Sequence, residues 1–301
     1  MIAADQGEWP RVAVLGAGAV GCYFGGMLAR AGAPVTLIGR ARQVEALMRD
    51  GLQMQTLRFT ERVPVAASSD IAAARSARVV LLAVKTLDTE DAAKALVPEL
   101  GPGAVVVSLQ NGVDNVERIR RAAGFEAVPA VVYVAAEVTG PGVVKHTGRG
   151  DLILGQHPEL SSTFNRAGIP CRVSDNIEGE LWAKLVMNCA YNAISAVTQE
   201  RYGRIATNQF TRPLIRQIVE ETLAVATAAG VRMPDTDLVA AAWTLGETMA
   251  GATSSTAQDL ARGRRTEIDS LNGYVARRGI ELGVATPANA TLHALVKLLE
   301  S

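Results

Sequence analysis

The stretch RVAVLGAGAVG at residues 11–21 decides the fold of the first half of the chain. Arg11–Leu15 is short, apolar and rich in valine, which predicts a buried β-strand. The residues after it follow the pattern G-x-G-x-x-G and lead into a helical pattern that continues to about Ala31. Such glycines allow a tight turn, the approach of a pyrophosphate and close packing of helix on sheet. The predicted dinucleotide-binding residues of this turn are Gly16, Ala17, Gly18, Ala19, Val20 and Gly21.

Apolar strand patterns recur downstream and alternate with helical patterns. We predict strands at 35–38, 79–84 and 104–109, helices at 43–49, 89–96 and 113–122, and a two-stranded ribbon within 52–65. Continuously apolar strands separated by helices are typical of a parallel sheet covered on both faces. Between 128 and 154 the pattern changes to strands with glycine turns, which predicts antiparallel additions at the sheet edge.

Helical patterns dominate the chain after about residue 174. We predict helices at 178–197, 208–229, 235–250, 256–282 and 287–299. The predicted organisation is therefore an α/β chain, with a Rossmann-like domain at 1–175 and an all-α substrate-binding and catalytic domain at 176–301. Residues 1–10 are interpreted as a frayed extension of the first domain.

Composition argues against several classes of function. The 301 residues carry no formal net charge, so nothing indicates binding to nucleic acid or to an anionic membrane. The three cysteines and three histidines are scattered without metal-ligand spacing, and no metal is predicted. We expect the cysteines to be free thiols in a reducing environment, and hence a cytoplasmic location. We expect no membrane-spanning helix, because no apolar run reaches about 20 residues.

The end of the second strand predicts the cofactor. An Asp or Glu at this place receives the ribose hydroxyls in NAD-binding domains of this kind. Here the chain reads Leu37-Ile38-Gly39-Arg40, with no carboxylate. A guanidinium can hold a 2′-phosphate by paired hydrogen bonds, so we predict NADP(H) and not NAD(H). The alternative is that Arg40 and Arg42 are solvated loop charges.

Two later strands end in polar residues, Lys85 and Asn111. In open α/β sheets ligands bind outside the carboxyl ends of the strands. Both side chains are therefore predicted at the reactive end of the cofactor or at a small anionic substrate. The alternative is loop capping, because Asn111-Gly112 is also a turn sequence.

A polar stripe runs along the otherwise apolar helix predicted at 178–197. Lys184, Asn188 and Asn192 recur every four residues and so share one side of the helix. Reduction of a carbonyl builds negative charge on oxygen, which a lysine can stabilise and then protonate. Lys184 is therefore the predicted general acid, and the asparagines are predicted substrate ligands. The alternative is a lysine that extends to solvent beside asparagines bonded between helices.

A second polar cluster covers residues 254–269, SSTAQDLARGRRTEID. A serine near a helix start can bind a substrate carboxylate, and Glu267 can bind a hydroxyl or orient a lysine. A capped helix with surface ion pairs is the simpler alternative for this segment.

Together these motifs resemble the ketopantoate reductase (2-dehydropantoate 2-reductase) family, within the superfamily of 6-phosphogluconate-dehydrogenase-like proteins. The resemblance covers about residues 11 to 299 and rests on GAGAVG at 16–21, Arg40, AVKT at 83–86, QNGV at 110–113, KLVMNCAYN at 184–192 and the 254–269 segment. It implies NADPH-dependent reduction of 2-dehydropantoate to (R)-pantoate, in pantothenate and coenzyme A biosynthesis. The implied second domain is similar to the C-terminal domain of 6-phosphogluconate dehydrogenase.

The resemblance also implies residue roles. Lys184 resembles the catalytic acid, Glu267 the acidic residue beside it, Ser255 the carboxylate-binding serine and Arg40 the 2′-phosphate ligand. Lys85, Asn111, Asn188 and Asn192 would surround the reactive end of the cofactor and the substrate. The stretch Ala193-Ile194-Ser195 lacks the proline that the family often carries, and we expect it to line the substrate side.

Two other functions stay open. One is reduction of a different 2-oxo acid or an opine-type substrate, because the fold does not fix the substrate. The other is a non-catalytic NADP-binding sensor, which would need the glycine loop but not Lys184, Ser255 and Glu267 together. The apolar helices of the second domain could support a homodimer.

Overall fold

The structure is a computed structural model that describes residues 8–300. The chain forms two compact units. The first takes the chain up to Gln110 and then from Asp114 to Ile177, and the second takes Asn111–Val113 and Glu178–Ser301. Most of the predicted frayed extension, residues 1–7, lies outside the described residues. Trp9 does not fit that prediction, because it packs against the core and the Arg166 guanidinium lies 3.5 Å from its ring centre.

The first unit is built on a ten-stranded sheet within residues 8–300. The strands are β1 Val12–Leu15, β2 Val35–Ile38, β3 Leu52–Gln55, β4 Thr60–Val63, β5 Ala66–Ser68, β6 Val79–Leu82, β7 Val105–Ser108, β8 Ala127–Gly140, β9 Val143–Leu154 and β10 Cys171–Val173. Their order in the sheet is β4-β3-β9-β8-β7-β6-β1-β2-β5, with β10 beside β9. Its helices are α1 Ala19–Arg30, α2 Ala41–Asp50, α3 Thr89–Leu96, α4 Asn115–Ala123 and α5 Pro158–Arg166.

The central parallel strands β1, β2, β6 and β7 are buried on both faces. Along β1, Val12 and Val14 belong to one core cluster while Ala13 and Leu15 belong to another on the opposite face. Alternate residues of a strand point to opposite faces, so an apolar residue at every position is what two covered faces require. Each fully buried valine or leucine contributes roughly 1.5–3 kcal/mol. The predicted parallel sheet is therefore confirmed.

The antiparallel additions are also confirmed. The long strands β8 and β9 pair antiparallel with register shifts, and β3 and β4 form the predicted antiparallel ribbon. No sequence pattern indicated that β3 would join β9 in parallel, which links this ribbon to the sheet.

The second unit is helical throughout its regular structure. It contains α6 Ile177–Thr198, α7 Tyr202–Thr207, α8 Thr211–Ala228, α9 Leu238–Thr248, α10 Ser255–Ala261, α11 Asn272–Leu282 and α12 Pro287–Leu299. The apolar sides of these helices meet in one core cluster around Tyr191, Val186 and Ile218. None of the helices within residues 8–300 combines the length and apolar character that crossing a bilayer requires.

One predicted helix of the second unit was wrong. The expected helix at 256–282 is broken, because α10 ends at Ala261, Gly263 has a φ of +60° and a short 3₁₀ turn covers Ile268–Ser270. A positive φ ends a helix, and glycine adopts it without a steric cost. The break takes Glu267 out of a helix and places it on an irregular segment.

A buried carboxylate fixes the start of α12. Glu221 on α8 is 8% exposed and accepts hydrogen bonds from the backbone amides of Ala288 and Asn289, both at 3.0 Å. It also accepts from the side chains of Asn289 at 2.8 Å and Gln217 at 3.0 Å. These bonds satisfy amides that a helix start leaves without a partner and place a negative charge at the positive end of the helix dipole.

Candidate active site

The glycine loop between β1 and α1 forms a tight turn. Gly16 has a φ of +111°, and a Cβ there would lie 2.6 Å from backbone atoms of Ala83. The amides of Gly16 and Ala17 both donate to the carbonyl of Ile38, at 2.9 and 3.1 Å. A side chain at position 16 is therefore excluded by backbone conformation and by space.

Gly18 leaves an open surface at the start of α1. A Cβ built on this residue would meet nothing within 4 Å, although a Cβ on Gly21 would lie 2.1 Å from the Gly16 carbonyl oxygen. Among residues 8–300 no side chain caps the helix, and its first turn holds no acidic residue. Uncapped amides and the helix dipole favour an anion, and the missing side chain allows it to approach. The loop therefore fits the pyrophosphate of a dinucleotide.

Arg40 lies at the same edge of the sheet as the glycine loop. It is the exposed residue that precedes α2, directly after β2, which pairs in parallel with β1. A Cβ on the preceding residue, Gly39, would lie 2.7 Å from the Cβ of Ala17 in the loop. No acidic residue occupies the first turn of α2. This position suits a guanidinium that binds an extra phosphate on the cofactor ribose.

The ends of β6 and β7 are joined by a residue that sequence analysis passed over. Gln110 is buried and donates to the carbonyl of Val84 at 3.2 Å and to the hydroxyl of Thr89 at 2.7 Å. Lys85 is half-buried at the start of the 3₁₀ turn Thr86–Asp88, where its carbonyl accepts from the Asp88 amide at 2.8 Å. Gln110 thus fixes the strand ends that carry Lys85. The sequence signal that could have identified Gln110 is its position in QNG, directly after an apolar strand.

Three predicted residues meet in the second unit. The Lys184 ammonium donates a 2.9 Å hydrogen bond to the side-chain oxygen of Asn111, whose nitrogen donates to Glu267 at 3.1 Å. Asn111 precedes Lys184 by 73 positions and Glu267 by 156. All three side chains are partly exposed. The sequence-predicted acid and the sequence-predicted carboxylate therefore share one amide.

The chemistry of its partners fixes the orientation of the Asn111 amide. A protonated lysine can only donate and an ionised carboxylate can only accept, so the amide oxygen must face Lys184 and its nitrogen Glu267. A carboxylate and an ammonium on the same amide polarise it in the same direction. The arrangement holds a proton donor at a set position with a carboxylate beside it.

The two asparagines of the stripe have different surroundings. Asn188, one turn after Lys184, is half-buried on α6. Asn192 is 4% exposed, and its side-chain oxygen accepts from the Tyr202 hydroxyl at 3.1 Å. Burial raises the pKa of Tyr202 well above its ordinary value, so this hydroxyl stays protonated and donates. The side-chain oxygen of Asn192 therefore has a hydrogen-bond partner in the core.

Ser255 is the exposed first residue of α10, and the residue before it anchors the helix. The Ser254 hydroxyl accepts from the Ala257 amide at 2.9 Å and donates to the Asn192 carbonyl at 3.1 Å. The Ser254 amide donates to Ser195 at 3.2 Å. Ala193, Ile194 and Ser195 are buried, so the expectation that this stretch lines the substrate side was wrong. It ties α6 to the start of α10.

Other chemistry is not evident in the described chain. Within residues 8–300 no group of three or more His, Cys, Asp or Glu side chains is arranged to hold a metal ion. The three cysteines are free thiols. Burial raises the pKa of Cys22 to about 12, so this thiol beside the glycine loop stays protonated.

Family models match both units. The model "Ketopantoate reductase PanE/ApbA" matches residues 12–159, and "Ketopantoate reductase PanE/ApbA C terminal" matches residues 176–300. The 2-dehydropantoate 2-reductase of Pyrococcus horikoshii is 34% identical over 299 residues, with 97% of this chain and 98% of the relative covered.

Solved structures show the same likeness. A ketopantoate reductase of the PanE/ApbA family from Ralstonia eutropha JMP134 is 51% identical with a TM-score of 0.93, covering 96% of this chain and 98% of its own. D-mandelate dehydrogenase, solved with NADH and anilino(oxo)acetate, is 25% identical with a TM-score of 0.89 and the same coverage.

Proposed function

Because the chain belongs to the ketopantoate reductase PanE/ApbA family, we propose that it reduces 2-dehydropantoate to (R)-pantoate with NADPH and that Lys184 supplies the proton. It is an oxidoreductase that acts on a CH–OH group, and its reaction belongs to pantothenate biosynthesis. The observation that carries the residue assignment is the single amide of Asn111 shared by Lys184 and Glu267.

Lys184 acts on the oxygen of the substrate carbonyl. NADPH, when bound, supplies the hydride that reduces C2. The ammonium of Lys184 stabilises the negative charge that builds on the C2 oxygen and then donates a proton to it. The Asn111 amide oxygen holds the ammonium at 2.9 Å and so limits the positions that it can take. Such positioning contributes to rate because fewer arrangements of the reacting groups must be searched.

Glu267 completes this arrangement from the opposite side of the amide. Its carboxylate accepts from Asn111 at 3.1 Å and thereby keeps the amide oxygen turned towards Lys184. The carboxylate also has the chemistry to accept a hydrogen bond from the C4 hydroxyl of 2-dehydropantoate. We assign Glu267 both roles.

Ser255 and Asn188 are the proposed ligands for the rest of the substrate. The exposed hydroxyl of Ser255 can donate to the substrate carboxylate, and the Asn188 amide can donate to an oxygen and accept from a hydroxyl. Asn192, predicted as a third ligand, is proposed to act indirectly, since its carbonyl accepts from Ser254 at the start of α10.

The cofactor-binding residues form the other part of the proposal. The amides of the glycine loop would bind the pyrophosphate, Arg40 the 2′-phosphate, and Lys85 the neighbourhood of the nicotinamide. The open space at Gly18 and the absence of a carboxylate before α2 support this assignment. The site has the features expected for NADP(H).

A different 2-oxo acid is the second candidate substrate. The likeness to D-mandelate dehydrogenase, a structure that contains anilino(oxo)acetate, supports this candidate. The curated relatives named 2-dehydropantoate 2-reductase match at 30–35% identity over nearly the full chain, which favours 2-dehydropantoate.

The test is the loss of NADPH absorbance with 2-dehydropantoate, with pyruvate and benzoylformate run beside it and NADH as the alternative reductant. We expect turnover with 2-dehydropantoate and NADPH. Lys184→Ala should lower kcat about a thousandfold or more with NADPH affinity retained, whereas Lys94→Ala, an exposed lysine on α3, should behave as wild type. Turnover of benzoylformate but not of 2-dehydropantoate would mean that a different 2-oxo acid is the substrate. NADPH binding without turnover of any acid would favour a sensor.

Oligomeric state and location are also proposed. A homodimer would cover apolar side chains that the second unit exposes, such as Phe210 at 80% and Leu298 at 70%. Light scattering after gel filtration measures this, and a monomer at micromolar concentration would exclude it. A cytoplasmic location is expected for an enzyme that uses the cellular NADPH pool.

A further inference from the structure

A polar stripe on α12 holds the segment that carries Glu267. His293, Lys297 and Glu300 are spaced by four and three residues, so they share one side of this helix and its C-terminal end. Their partners are Thr266 and Asp269, which lie on either side of Glu267. Because α10 ends at Ala261, no regular helix fixes residues 262–267. The stripe is therefore the support for an otherwise irregular piece of backbone.

Glu300 holds Thr266 through two hydrogen bonds. One carboxylate oxygen accepts from the Thr266 amide at 2.7 Å and also from the Thr266 hydroxyl. That hydroxyl in turn accepts from the Ile268 amide at 3.2 Å. Thr266 is 1% exposed and Ile268 is fully buried. The residues directly before and after Glu267 are thus fixed by one carboxylate.

Lys297 and His293 hold the other end of the segment. Lys297 donates to Asp269 at 3.0 Å and to the second oxygen of Glu300 at 2.6 Å. His293 lies 2.7 Å from the remaining Asp269 oxygen, and Arg277 donates to the Asp269 carbonyl at 2.9 Å. Lys297 therefore joins the two anchors on either side of Glu267.

Stability alone is a weak reason for this arrangement. The Glu300 side chain is only 7% exposed, so its charge has lost most of its hydration. Buried ion pairs are often replaceable by apolar residues without loss of stability, because desolvation offsets much of their attraction. What these ion pairs supply here is a fixed geometry, since each hydrogen bond orients a particular backbone or hydroxyl group.

We propose that Glu300 and Lys297 are positioning residues for the reductase reaction, acting through Thr266 and Asp269 on the placement of the Glu267 carboxylate. The inference rests on the proposed function of Glu267. Since Glu267 orients the Asn111 amide that holds Lys184, a shift of residues 266–268 moves the acceptor that sets the proton donor. A displacement of about 1 Å at such a site can cost about a hundredfold in rate.

A double-mutant cycle tests the proposal in the full-length enzyme. Values of kcat and kcat/KM for 2-dehydropantoate are measured for wild type, Glu300→Gln, Glu267→Ala and the double variant. We expect Glu300→Gln to lower kcat/KM by about tenfold or more, mainly through kcat. In the Glu267→Ala background the same change should have less than about a twofold effect. Equal factors in the two backgrounds would mean that Glu300 acts on the fold and would overturn the proposal.

A second pair of variants tests the proposal independently, in case Glu300→Gln does not fold. Thr266→Val removes the hydroxyl and keeps the shape, whereas Thr266→Ser restores the hydroxyl. We expect Thr266→Val to lower kcat at least about fivefold, and Thr266→Ser to retain most of it, at matched melting temperatures. Similar kcat values for the two variants would contradict the proposal. Glu281→Gln, an exposed carboxylate paired with Arg278 on α11, is the control and should stay within about twofold.

The design separates failure of the inference from failure of the proposed function. Absence of 2-dehydropantoate turnover in wild type would overturn the proposed function, and an unaltered rate in Glu267→Ala would overturn the role proposed for Glu267. Normal wild-type turnover with a damaged Glu267→Ala and an undamaged, folded Glu300→Gln would overturn only the positioning role.

Discussion

Lys184 on α6 donates its 2.9 Å hydrogen bond to Asn111, a residue that follows a strand of the sheet but belongs by its contacts to the helical unit. The lysine is thus held by a residue distant in sequence, and the side-chain nitrogen of that residue donates to Glu267. Because one amide serves both charged groups, a change at Asn111 affects the proton donor and the carboxylate together.

We expect Asn111→Ala to lower kcat by about a hundredfold, because Lys184 and Glu267 both lose the partner that positions them. Asn111→Asp is the informative second variant. It keeps an acceptor for Lys184 but places a carboxylate against Glu267, so it should not restore the rate. Steady-state kinetics with 2-dehydropantoate measure both, and a kcat within threefold of wild type for Asn111→Ala would argue against the shared-amide arrangement.

Gly16 and Gly18 should respond differently to alanine. At Gly18 a methyl group has open space, so Gly18→Ala should fold with a loss of less than about 1 kcal/mol but bind NADPH at least about tenfold more weakly. At Gly16 the φ of +111° and the Ala83 backbone at 2.6 Å oppose any side chain, so Gly16→Ala should lower the melting temperature itself. Thermal unfolding and fluorescence titration with NADPH measure the two effects. Unchanged NADPH affinity in Gly18→Ala would remove the pyrophosphate from this loop.

Arg40→Met should weaken NADPH binding by about ten- to a hundredfold and leave NADH binding nearly unchanged, because only NADPH carries the 2′-phosphate. Arg42→Met, two residues later and also exposed, is the matched control and should stay within about twofold. Dissociation constants for both cofactors at several salt concentrations check this. Equal losses for the two cofactors would show that Arg40 does not read the phosphate.

Glu221→Ala should destabilise the helical unit by about 2–4 kcal/mol, because the amides of Ala288 and Asn289 lose a buried, charged acceptor. Its neighbour Glu220 forms an exposed ion pair with Arg216, and Glu220→Ala should cost less than about 0.5 kcal/mol. Urea unfolding at neutral pH measures both. Equal midpoints for the two variants would mean that the capping bonds contribute little.

The contribution of Glu300 to stability should disappear in acid. Burial alone would raise the pKa of this carboxyl, but hydrogen bonds from Lys297 and Thr266 hold its pKa below the ordinary 4.5. A pKa lowered by folding contributes stability that is present above the ordinary value and is lost as pH falls through the folded-state value. The difference in unfolding free energy between wild type and Glu300→Gln should therefore be constant above about pH 5.5 and shrink below about pH 4.5. A difference that does not change between pH 7 and 3.5 would contradict this.

The local patterns of the first unit were sufficient to predict the parallel strands β1, β2, β6 and β7, because each is buried on both faces and carries its own apolar signal. Arg40 and the glycine loop were predictable for the same reason, since their positions depend on one strand and the turn that follows it. The short strands β5 and β10 are more exposed and were missed. The predicted residue assignments at the cofactor and substrate remain predictions for the experiments above.

What the sequence did not reveal depends on contacts distant along the chain. The helical pattern through 256–282 did not indicate that the helix is broken before Glu267. The local sequence feature at the break is Arg262-Gly263. Helix periodicity placed Asn192 in the polar stripe but could not reveal that Tyr202 donates to its side-chain oxygen. Glu300 carried no signal at all, since its partner Thr266 lies 34 positions earlier.

The discontinuous second unit has a consequence for chimeric genes made from two members of this family. A crossover placed at Ile177 looks like a clean domain boundary, yet it would take Lys184 and Glu267 from one parent and Asn111 from the other. Recombinants that exchange the three residues 111–113 together with the segment after Ile177 inherit the hydrogen-bonded set intact. Any shuffled library should treat these two stretches as one block.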